Sequence, residues 1–187
     1  MHLPPSRSFV FAATVLVGCA TTANYVYVPR GASYWREGYP IEATEVSQGK
    51  IEVTSFGISE LVPEGTALHV RLTVTNDGDA TPWTVTTADQ VLELGSVRNR
   101  PVLVKTDVET IPVLAVAQHE HRVIDLYYHL PASVREEKDL ATFDLVWQVA
   151  TPGRLVSART HFQRVEEEPT QPYSHVTFRS SVPYWFR

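Results

Sequence analysis

Strict alternation of apolar and polar residues through the middle of the chain is the feature that most limits its fold. In LHVRLTVT, Leu68, Val70, Leu72 and Val74 project to one side, and His69, Arg71, Thr73 and Thr75 to the other. In VIDLYYHL, Ile124, Leu126, Tyr128 and Leu130 oppose Asp125, Tyr127 and His129. FDLVWQV sets Phe143, Leu145, Trp147 and Val149 against Asp144 and Gln148, and VSARTHF sets Val156, Ala158, Thr160 and Phe162 against Ser157, Arg159 and His161. A period of two, rich in β-branched and aromatic residues, is that of half-buried strands. Weaker strands fit at 50–58, 84–94, 102–106 and 113–117. Turn residues separate these runs: Pro63-Glu64-Gly65, Asn76-Asp77-Gly78-Asp79 and Thr151-Pro152-Gly153. Only 131–140, PASVREEKDL, reads as a short helix, with Ser133 as its cap. Seven or eight short strands with no alternating helices predict an all-β fold, an antiparallel two-sheet sandwich spanning 48–165. Its predicted core holds Leu72, Val74, Ile124, Leu126, Phe143, Leu145, Trp147 and Phe162.

The N-terminus, MHLPPSRSFVFAATVLVGCA, has a different pattern. Arg7 is its one Lys or Arg before Cys19, and Phe9 to Val17 is apolar apart from Thr14. Such a run is too short to span a bilayer as a helix, but it suits the core of a secretory signal. It ends on the single cysteine of the chain. Leu16, Val17, Gly18 and Cys19 resemble, position by position, the lipobox of bacterial lipoproteins. The resemblance implies cleavage of residues 1–18 and acylation of Cys19 on sulfur and on its new amine. Ala20 in place of aspartate points to the outer membrane rather than the inner. One acyl chain holds a protein only marginally at a membrane, whereas two or more hold it stably. The partner expected at this end is therefore the membrane itself, through lipid.

A lone cysteine also means no intramolecular disulfide, so the exported domain must be held by its core. After loss of residues 1–18 the chain has 15 Lys and Arg against 21 Asp and Glu, a net charge of −6. This disfavours nucleic acid as a partner, and disfavours docking to anionic lipid through a basic face. Residues 19–47 hold four tyrosines, Trp35, two prolines and two glycines without a steady period. They read as a lipidated tether, in part packed on the domain. Residues 166–187 read as a tail, with a Glu/Pro spacer and then Val176, Phe178, Val182, Tyr184, Trp185 and Phe186.

The run from Ile51 to Leu94, with its Pro-Glu-Gly turn, long alternating strand and TNDGD turn, and the later FDLVWQV and HFQRV, are similar to the telokin-like immunoglobulin domains of unknown function in bacterial surface lipoproteins. The similarity covers about two thirds of the chain. It implies the sandwich and a surface location, and it brings no catalytic residues. Pro82-Trp83 directly after the turn and the aromatic tail depart from that pattern.

Few residues point to chemistry. His119 and His121 would share one face if both lay on a strand, and could then hold a metal, with His69, His129 or His161 as a third ligand. Two histidines alone are not a site, so solvated turn residues are the expected state and no metal or other cofactor is assigned. There is no GxSxG, no Gly-rich phosphate loop and no unlipidated cysteine to serve as nucleophile. Glu136-Glu137 and Glu166–Glu168 read as solvated charge. The candidate binding surface is aromatic: Trp83, Tyr127, Tyr184 and Trp185. For Trp83 and Tyr127 the expected state is packing beneath the two terminal segments. For Tyr184 and Trp185 it is an added strand or strap that closes the sandwich, with a docking peptide or an anchor at membrane headgroups as the alternatives. The function expected is a non-enzymatic envelope lipoprotein that binds another envelope protein or supports an assembly. The alternatives are a carbohydrate or peptidoglycan module, and, third, a metal-assisted hydrolase using His119 and His121.

Overall fold

The computed structural model describes residues 24–61, 65–107 and 112–167. Among them run thirteen strands: β1 (Asn24–Pro29), β2 (Tyr34–Arg36), β3 (Tyr39–Val46), β4 (Gly49–Leu61), β5 (Gly65–Asn76), β6 (Trp83–Thr86), β7 (Val91–Leu94), β8 (Val97–Asn99), β9 (Leu103–Thr106), β10 (Val113–Val116), β11 (Glu120–His129), β12 (Thr142–Thr151) and β13 (Arg154–Glu167). They form two antiparallel sheets. One has the order β2-β3-β4-β5-β11-β9; the other runs β1-β13-β12-β6-β10, with β7 also on β12 and β8 on β7. The molecule is an all-β, immunoglobulin-like sandwich. The lipobox residues Leu16, Val17, Gly18 and Cys19, and the tail residues Tyr184 and Trp185, lie outside the described residues.

The alternation reads directly into the core. Leu72, Val74, Ile124, Leu126, Phe143, Leu145, Trp147 and Phe162 are all buried, none more than 2% exposed. Phe143 stacks on Phe162 at 4.7 Å. Each of these side chains removes about 1.5–3 kcal/mol worth of apolar surface from water, which is what a disulfide-free domain needs. Trp147 also donates its indole N–H to Thr160 Oγ1 (3.2 Å), and Thr160 donates to Glu42 (3.2 Å), so the polar atoms of this region are paired inside.

Three expectations need correction. The segment read as a tether is structured over 24–46: β1 pairs with β13 from Asn24 opposite Glu167 to Pro29 opposite Phe162, and β3 pairs with β4. Tyr27 enters the core at 1% exposure, and its hydroxyl donates to the Leu140 carbonyl at 3.1 Å. Burial raises its pKa, as does the nearby Glu137 carboxylate. The strand count therefore exceeds seven or eight.

The strand expected over 84–94 is broken. A 3-10 turn at Thr87–Asp89 separates β6 from β7, and both lie along β12. The break holds because Gln90, fully buried, takes the place of a backbone neighbour. Its Nε2 donates to the carbonyls of Thr86 and Gln148 (2.9 Å each), and its Oε1 accepts the Gln148 N–H (3.1 Å). The Gln90 carbonyl in turn accepts the Tyr128 hydroxyl from the opposite sheet at 3.1 Å.

The helix expected over 131–140 shrinks to a 3-10 turn at Glu137–Asp139. Ser133 does not cap it. The Asp139 carboxylate accepts the N–H of Arg135 (3.0 Å) and of Glu136 (3.2 Å).

Candidate binding face

Residues that alternate with the core strands point out of the six-stranded sheet, and there they build an aromatic row. β4 carries a bulge between Ser55 and Gly57, so Phe56 is an extra residue in the ladder. Gly57 stands opposite His69 at φ +81°, a conformation glycine adopts freely, and Ser55 Oγ accepts its N–H at 3.2 Å. Phe56 there lies over His69, while a Cβ at 57 would meet the Glu137 carboxylate at 3.1 Å.

The row then crosses four strands. Tyr39 on β3 meets Phe56 edge-on at 4.5 Å, Phe56 stacks on His69 at 4.7 Å, and His69 stacks on Tyr127 of β11 at 4.4 Å and 15°. Cations close it from above. Arg71 lies 4.7 Å from the centre of the Phe56 ring, and Lys105 of β9 lies 5.1 Å from that of Tyr127. Such contacts contribute about 0.5–1 kcal/mol at exposed sites.

Asp125 organises the polar half of the face. It stands opposite Arg71 in the ladder and accepts from Arg71 Nε (2.8 Å) and Nη2 (3.1 Å). Its Oδ1 also lies 2.9 Å from His69 Nε2. Burial pushes its carboxyl up, but the hydrogen bonds from His69 and Arg71 outweigh it and hold the pKa down to about 2. Next to the row is a cleft of about 40 Å³ lined in part by Arg36, Tyr39, Ile41, Glu52, Phe56 and Arg71. Glu52 is almost fully buried there, with Lys50 at 3.0 Å and Arg36 at 3.2 Å, and burial raises its pKa.

The outer face of the other sheet is ionic instead. Arg159 bridges Glu93 and Asp144, His161 Nδ1 lies 2.7 Å from Asp144 Oδ1, and Arg98 pairs with Glu93 at 3.1 Å.

The sequence candidates separate on this frame. Tyr127 belongs to the row, although at 8% exposure it offers an edge rather than a face. It is covered by its neighbours His69 and Lys105. Trp83 is a core residue, fully buried between the sheets, with its indole N–H donated to Asp79 Oδ2 at 2.7 Å, so it is no part of a binding surface. His119 sits in the turn before β11 at φ +60°, which takes it off the strand that carries His121 and removes the shared face. Among the described residues no group of three or more His, Cys, Asp or Glu is placed to hold a metal.

Tyr39, Phe56, Arg71, Asp125 and Lys105 are absent from the sequence candidates, and His69 stands among them only as a third ligand for a metal. The available signal was Phe56-Gly57, where the alternation of β4 slips by one residue. None of the protein-family models, curated proteins or solved structures compared with this chain matches it.

Proposed function

We propose that this chain is a non-enzymatic lipoprotein of the cell envelope, held at the outer membrane by acyl chains on Cys19. Its sandwich binds another envelope protein through the outer face of the six-stranded sheet. The observation that carries the binding half is the row Tyr39–Phe56–His69–Tyr127 under Arg71 and Lys105. Aromatic and arginine side chains in partly desolvated clusters are the usual anchors of protein interfaces. The Leu-Val-Gly-Cys segment supports the address.

A glycan platform fits this face less well. Sugars stack on open ring faces, whereas here Phe56, His69 and Tyr127 present their faces to one another. A hydrolase using His119 and His121 loses its geometric basis with the turn at His119.

The test is site-specific photocrosslinking in intact envelopes. A photoreactive residue in place of Leu103 or Lys105, at the rim of the row, should give one discrete protein adduct. The same residue in place of Val146, on the ionic face, should give none. Equal labelling from both faces, or none from either, contradicts the proposal.

A further inference from the structure

We propose that two copies of this chain join edge to edge through β13, making one continuous sheet across a two-fold axis. β13 has β12 on one side along 154–163, but β1 covers its other side only from Phe162 to Glu167. No strand among the described residues pairs with 154–160 on that second side.

The direction of the free backbone groups follows from two bonds. The His161 carbonyl accepts the Arg30 N–H at 2.8 Å on the β1 side, and the Arg164 N–H donates to the Ala141 carbonyl at 2.9 Å on the β12 side. Donors and acceptors alternate along an antiparallel strand, so Leu155, Ser157 and Arg159 turn their N–H and C=O groups outward. This is an edge of about 20 Å with no proline, lysine or bulge to blunt it.

A second copy fits it in one register. The open stretch, 154–160, lies between the hairpin turn at Pro152-Gly153 and the end of β1, and its centre is Ser157. An antiparallel copy centred there places Ser157 opposite Ser157, Leu155 opposite Arg159, Val156 opposite Ala158 and Arg154 opposite Thr160. Outward-facing backbone groups meet outward-facing ones at every second residue, and no like charges stand directly opposite. Leu155, 60% exposed, would be covered by the aliphatic stem of Arg159. This dimer leaves the aromatic row of each copy free, and it stands whether or not that row is the binding face.

Analytical ultracentrifugation of the full chain tests it, beside Ser157→Pro. The Ser157 N–H points away from β12, so proline there removes no bond of the β12–β13 ladder and the far-UV circular dichroism should not change. The expected result is a wild-type dimer at loading concentrations up to about 100 µM, at which a pair with micromolar Kd is assembled, and a monomeric variant. A wild type that stays monomeric overturns the proposal, as does a dimer that a folded Ser157→Pro leaves intact.

If Ser157→Pro fails to fold, mild oxidation of Ser157→Cys and Leu155→Cys decides. Paired residues in this register sit about 5.5 Å apart, within disulfide reach, whereas the two 155 positions are about 13 Å apart along the strands. A 157–157 link found by peptide mapping, without a 155–155 link, supports the register; absence of the 157–157 link, or equal linking at both positions, contradicts it.

Discussion

His69 lies flat between Phe56 and Tyr127, 4.4 Å from the Tyr127 ring, with its Nε2 2.9 Å from Asp125. One side chain thus joins the aromatic row to the Arg71–Asp125 ion pair. His69→Ala should lower stability by about 1–3 kcal/mol, from two lost ring contacts and one lost charge-assisted hydrogen bond. Urea unfolding measures this, and a change below about 0.5 kcal/mol would mean that the row is not packed as described.

Asp125 gives the face a pH signature. Its carboxyl ionises at about 2 in the fold against 3.8 ordinarily, a depressed value, so its contribution is complete above about pH 4 and is lost as pH falls toward 2. The contribution is about 2 kcal/mol at most, reduced by the side chain's partial contact with water. The stability gap between wild type and Asp125→Asn should therefore narrow between pH 4 and pH 2. A gap that stays constant over that interval would refute the ion cluster.

Gln90 carries the broken strand. Gln90→Ala would leave the Gln148 N–H and two carbonyls without their partners, and should cost about 2–4 kcal/mol. Gln90→Glu should also destabilise, because the carboxylate keeps the acceptor for Gln148 N–H but loses both donations. Thermal unfolding of the two variants separates this role from simple packing.

Gly49 is held where a side chain has no room. A Cβ there would fall 2.7 Å from Trp83 Cη2 and nearer still to the Thr75 carbonyl oxygen, which as backbone has little room to yield. Gly49→Ala should cost about 3 kcal/mol or more, or prevent folding. Trp147→Ala should cost about 3–5 kcal/mol, since its indole is fully buried and hydrogen-bonded. A cost below about 1 kcal/mol at Trp147 would contradict its place in the core.

The long strands were legible in the sequence because each covers the core with one face and meets water with the other, as β5 and β12 do. β1 was not: in Tyr25-Val26-Tyr27-Val28 all four residues are apolar or aromatic, so no hydropathy period marks which side is in. β6 and β7 read as one strand because the side-chain amide of Gln90, a tertiary effect, decides where the ladder breaks. The binding face was only partly legible. Tyr127 could be singled out as an aromatic on a polar side, but His69, Arg71 and Asp125 look like ordinary solvated residues until register sets β5 beside β11. For Trp83 the packed reading holds, though in the core between the sheets rather than beneath a terminal segment, because Asp79 in its turn satisfies its N–H and lets the ring go inside.

The central claim is that a lipid on Cys19 carries this sandwich to the envelope, and intact mass together with membrane fractionation tests it most directly, wild type beside Cys19→Ala. The account predicts a wild-type mass lacking residues 1–18 and bearing acyl groups, recovered with the outer membrane, and a variant that is released or unprocessed. An unmodified full-length wild type, or one found free of membranes, would contradict it.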